Sequence, residues 1–146
     1  MKKGFSLIEL LVVVAIIGVL AGAGIVGYQG YLDGVKRDTA KNQGTQLLRA
    51  LQAAEISAES GLTGQENCGK GDGIIDCLGE LGKTMESPFT DKKLVSAQFV
   101  AGAGNCTTGK SMEVTSGSMG SLGTVTITPC KANGSPDNDL AVSSAL

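Results

Sequence analysis

The sequence predicts an α+β protein in which one long N-terminal helix, apolar in its first half, packs its second half on a small antiparallel sheet. Three observations lead there. From Phe5 to Tyr28 the only charged residue is Glu9. The apolar residues that follow keep helical spacing as far as Ala58, and three short stretches in the last third of the chain alternate apolar with polar side chains.

The first stretch, FSLIELLVVVAIIGVLAGAGIVGY, is long enough for a membrane span, since about 20 apolar residues of helix cross a hydrocarbon layer of roughly 30 Å. A carboxylate at mid-bilayer costs about 2.5 to 3.5 kcal/mol, so Glu9 calls for a partner and a function. Gly18 and Gly22 form a G-x-x-x-G pair, followed by Gly24, Gly27, Gly30 and Gly34. Backbones can approach closely there, and the same glycines make residues 22–34 the place where the helix would loosen or bend.

Beyond the span the helix carries two apolar stripes. Tyr28, Tyr31, Leu32 and Val35 form one, and Leu47, Leu51, Ala54 and Ala58 form another, roughly 120° further round at about 100° per residue. One straight helix thus offers two partners two faces: neighbouring subunits the first, the protein's own sheet the second. Asp33, Lys36, Arg37, Asp38 and Lys41 lie between them as a charged belt, with Asp33 and Arg37 spaced for an i,i+4 pair. The helix should end near Ser60-Gly61, where glycine supplies a left-handed cap.

Composition narrows the function. The chain has 146 residues, and the leader and span leave about 118 of them, enough for one small domain. The net charge of −2 provides no basic field for nucleic acid. With no histidine, a Ser-His-Asp or Cys-His centre is excluded, and the reading is a protein that is not an enzyme and needs no cofactor. Twenty-two glycines and five aromatic residues predict a loop-rich soluble part with a thin core. Cys68, Cys77, Cys106 and Cys130 could brace it as two disulfides in an oxidising compartment; their spacings do not suit structural zinc, so no metal is expected.

Residues 61–92 read as an irregular connection, with a short helical turn over Leu78 to Met85. The run Gly71 to Asp76 has the look of a calcium loop, but the positions for its ligands fall on Cys68, Lys70 and Gly79. Three strands follow, around Val95 to Ala101, Met112 to Val114 and Thr124 to Thr128, with Ser116 to Gly123 as the turn between the last two. A hairpin turning near Gly120 sets Lys110 about opposite Thr128 and Cys106 nearly opposite Cys130, which favours Cys106–Cys130 with Cys68–Cys77 among three connectivities. The tail Lys131 to Leu146 is turn-rich, and its Asp137 and Asp139 could bind calcium, although two acids in a turn are usually only a turn.

The N-terminus, Met1-Lys2-Lys3-Gly4 followed by Phe5-Ser6-Leu7-Ile8-Glu9-Leu10, resembles the type IV pilin family. The resemblance is strong over residues 1 to about 60; beyond them only the general layout matches. An ordinary secretory signal fits poorly, because its apolar core would be overlong and would contain Glu9. The resemblance implies cleavage by a prepilin peptidase after Gly4, N-methylation of the new N-terminal Phe5, and an assembly role for Glu9 with Phe5. It divides the chain into a leader (1–4), a membrane-spanning and filament-core helix (5–28), the second half of that helix (29–60) and a globular head (61–146). It implies insertion in the inner membrane as precursor and polymerisation into an extracellular filament. The partners implied are the chain itself, minor pilins, the peptidase, an assembly ATPase with its platform, and a secretin. Pilins commonly carry a proline about 22 residues into the mature chain; Val26 stands there in this sequence. The alternatives are a pseudopilin of type II secretion, against which the cysteines argue, and a membrane-anchored binding domain.

Overall fold

The computed structural model describes residues 4–62, 65–115, 119 and 123–146; the basic lead Met1–Lys3 and most of the expected Ser116–Gly123 turn lie outside them. The chain forms two compact units, Met1–Val35 and Lys36–Leu146. One helix, α1 (Leu7–Glu59), contributes to both and is unbroken through the glycines at 22–34.

In the first unit every described residue is exposed. In the stripe of Tyr28, Tyr31, Leu32 and Val35 each side chain is exposed, Tyr28 at 61% and Tyr31 at 68%. In the second unit the other stripe is the core, with Leu47 and Leu51 at 0% exposure. Burial of such a side chain is worth about 1.5 to 3 kcal/mol. Helix spacing extends this stripe back to Gly44 and Ala40, both buried. A Cβ on Gly44 would come within 2.9 Å of Val142 Cγ2, so the glycine is a notch that lets the sheet close on the helix.

α1 ends as its sequence predicts. Leu62 N–H donates to the Ser57 carbonyl at 2.9 Å and Gly61 N–H to that of Ala58 at 3.2 Å, with Gly61 at φ +70°. These two bonds make a Schellman cap, which satisfies carbonyls that the helix end leaves without partners. The segment expected to be mostly irregular contains a nine-residue helix, α2 (Ile74–Gly82), which begins and ends earlier than the expected turn over Leu78 to Met85. Of its buried residues, Ile74, Cys77, Leu78 and Gly82 fall on one face, and Gly79 is buried beside them.

The sheet has four strands, not three, in the order β1 (Phe99–Ala101), β2 (Met112–Val114), β3 (Thr124–Pro129), β4 (Val142–Ala145). It is antiparallel from β2 to β4, pairing Val114 with Ile127 and Ile127 with Val142. It is mixed overall, because β1 pairs parallel to β2, with Phe99 beside Met112. β1 also starts later than expected, since Ser96–Gln98 form a single 3-10 turn ahead of it. The expected pairing of cysteines is present: Cys68–Cys77 with Cα atoms 4.6 Å apart and Cys106–Cys130 at 5.6 Å. The hairpin register differs from the expected one, because Cys130 N–H donates to Ser111 O at 2.8 Å; Cys106 reaches Cys130 from the loop over residues 102–111 rather than from a facing strand position.

Candidate assembly site

The start of α1 explains why Glu9 sits where it does. Ser6 is the residue before the first helical position and Glu9 is the third residue inside, the S-x-x-E spacing of a capping box. The Ser6 backbone N–H donates to Glu9 Oε2 at 2.8 Å, while the Ser6 carbonyl accepts from the N–H groups of Glu9 (3.1 Å) and Leu10 (3.3 Å). The carboxylate therefore satisfies a backbone donor at the positive end of its own helix. Sequence reading overlooked this bond, although the motif that signals it was visible. Gly4 and Phe5 precede the cap and are not helical, so the Gly4–Phe5 peptide lies outside the first turn.

Phe5, Ile8, Glu9, Val12 and Val13 line a shallow apolar recess of about 430 Å³. Glu9 is the one acid in it, and Phe5 is 88% exposed beside it. By length and composition, α1 is apolar enough near its N-terminus to cross a membrane. A Cβ built on Gly18, Gly22, Gly24, Gly27, Gly30 or Gly34 would meet no atom within 4 Å, so the backbone at each is open to close approach.

The charged belt resolves differently from the expected Asp33–Arg37 pair. Arg37 Nη2 lies 3.5 Å from Asp137 Oδ1 and 3.5 Å from Asp139 Oδ2, joining α1 to the C-terminal segment. Asp137 is only 2% exposed, and Lys131 Nζ stands 3.8 Å from the same Oδ1. A guanidinium thus faces both carboxylates and an ammonium stands beside Asp137, and like charge next to a cation offsets its attraction to them. Among the described residues no three acidic, cysteine or histidine side chains are grouped to hold a metal.

Residues 1–25 match the family model described as the prokaryotic N-terminal methylation motif. Fimbrial protein Q of Moraxella bovis is 29% identical over 116 residues, 80% of this chain and 69% of that protein. A fimbrial protein of Pseudomonas aeruginosa is 44% identical over 61 residues, 42% of this chain and 35% of its own length. A type IV major fimbrial protein FimA of Dichelobacter nodosus is 37% identical over 87 residues, 48% of this chain and 49% of that protein. The chain thus spans about a third to two thirds of the lengths of these relatives. No solved structure matches it. The methylation motif and the fimbrial relatives make this chain similar to type IV pilins, chiefly over its N-terminal part, where a long apolar helix leads into a disulfide-braced α+β unit.

Proposed function

We propose that this chain is the structural subunit of a type IV pilus, and that Glu9 guides its assembly. The observation that carries the reading is an apolar helix half with every described residue exposed and one carboxylate at its start. Such a surface is stable in lipid before assembly and against copies of itself afterwards. Prepilin peptidase cuts after Gly4, and the amine of Phe5 is then methylated and stays protonated. Glu9 of one subunit pairs with that ammonium on a neighbour, because a lone carboxylate in an apolar fibre core is strongly disfavoured and a paired one much less so.

The precursor resides in the inner membrane; the assembled form is an extracellular filament, built with minor pilins by an ATPase, its membrane platform and a secretin. The named relatives are fimbrial proteins and pilins, which favours a surface fibre over the secretion pseudopilus. The test is Glu9→Ala in the living cell. Expected are normal membrane insertion, a mature chain beginning at Phe5 by intact mass, and sharply fewer filaments. Filaments at wild-type yield would overturn the assembly role, and a chain still beginning at Met1 in the unaltered protein would overturn the processing.

A further inference from the structure

Glu9 has three side-chain torsions, and an unrestrained carboxylate near a helix start would swing toward the headgroups. In this chain it is restrained. The Ser6 N–H holds Oε2 at 2.8 Å, at the level of the first turn and beside the exposed Phe5. We infer that the backbone N–H of Ser6 is a positioning group for assembly: it fixes the Glu9 carboxylate in the orientation in which a neighbouring subunit's ammonium meets it.

This rests on the pairing proposed above and adds a residue and an atom to it. Capping and pairing do not compete, since an ionised carboxylate offers about four lone-pair sites and the cap uses one. The benefit is preorganisation: a side chain already fixed loses less freedom when the partner arrives. No bond of the Ser6 hydroxyl enters the inference; what matters is the N–H, a group that any residue except proline supplies.

Two substitutions at one position separate the N–H from the hydroxyl. Ser6→Ala keeps the N–H and should assemble like the unaltered protein. Ser6→Pro removes it just ahead of the first helical position, where no intrahelical bond is lost, and should give filaments about tenfold fewer, scored on chains shown by intact mass to be mature. A direct reading comes from the Ser6 amide proton in the full mature chain in detergent micelles. Its resonance should be downfield and slow to exchange in the unaltered protein and in Glu9→Gln, which keeps the acceptor oxygen but loses the charge, and both features should vanish in Glu9→Ala. Identical amide behaviour in all three would overturn the cap. Wild-type filament yield from mature Ser6→Pro would overturn the positioning role even where the cap is present. Should Ser6→Pro remain uncut, the amide measurement still tests the cap on which the positioning depends, and its failure overturns both. The failures are distinguishable: if Glu9→Ala assembles normally the pairing itself falls, whereas if Glu9→Ala fails and Ser6→Pro succeeds only the positioning falls.

Discussion

The two units use one helix in opposite ways. In Lys36–Leu146, α1 turns Leu47, Leu51 and Ala58 onto a core closed by α2, the sheet and two disulfides. In Met1–Val35 the same helix is more apolar still, yet every described residue is exposed. The first pattern is a face satisfied within the chain and the second is a face that needs lipid or other subunits. An exposed apolar patch of that extent on a single chain marks an interaction surface. The difference makes each half testable by the same kind of substitution, with opposite readouts.

The largest effect should come from deleting core volume. Leu51→Ala removes a fully buried side chain and should destabilise the second unit by about 2 to 5 kcal/mol, seen as a lower urea midpoint in pulse proteolysis of the full chain in detergent. Val14→Ala, from a position 59% exposed, should leave that midpoint unchanged. Equal shifts from the two would abolish the distinction between the halves.

Glycine provides a sharper pair. Gly44→Ala places a methyl 2.9 Å from Val142 Cγ2, and overpacking of this kind costs about 1 to 3 kcal/mol, offset by roughly 1 kcal/mol of gained helix propensity. A net loss of about 1 kcal/mol is expected in the same proteolysis assay. Gly27→Ala meets no atom within 4 Å and gains the propensity without the clash. It should leave the urea midpoint of the second unit in place and, if the glycine face packs against neighbouring subunits, lower filament yield. A Gly44→Ala protein at least as stable as the unaltered one would show that β4 yields easily.

Much of this was legible from residue types alone. The long helix, its two stripes and its glycine cap follow from a strong 3.6-residue period and a terminal Gly61, local signals that tertiary packing reinforced. β2 and β3 were legible from Met112, Val114, Val125 and Ile127 alternating with polar neighbours. β4 was not, because Val142-Ser143-Ser144-Ala145 is small and weakly apolar; its place depends on pairing with β3, on the Gly44 notch and on a 2.8 Å bond from Gln52 to the Ser144 hydroxyl. The start of α2 was hidden by the glycines around it, and the parallel pairing of β1 by a loop that no periodicity describes. At the assembly site, Gly4, Phe5 and Glu9 were readable as a motif. The bond from Ser6 was spelled by S-x-x-E, a local signal that the apolar surroundings of Glu9 mask.

The smallest effect concerns the clasp between α1 and the C-terminal segment, where a single guanidinium faces two carboxylates at 3.5 Å in different surroundings. The Asp139 side chain is 85% exposed, so water and salt screen its pairing, and such pairs contribute about 0 to 1 kcal/mol. The Asp137 side chain is 3% exposed, and Arg37 at 3.5 Å and Lys131 at 3.8 Å are the cations that face it. Removing one cation from a buried carboxylate costs more than removing an exposed partner. Arg37 is itself 46% exposed, which tempers the loss, and Arg37→Ala should destabilise by about 1 to 2 kcal/mol. Asp139→Asn should change the stability read from the urea midpoint by less than about 0.5 kcal/mol, and still less at high salt. Amide exchange then locates the effect. In Arg37→Ala the N–H groups of β4 should exchange faster than those of β2, because β4 is the edge strand nearest in sequence to Asp137 and Asp139. Equal protection of β4 in the Arg37→Ala and unaltered proteins would mean that Gly44, Val142 and Gln52 alone hold the tail.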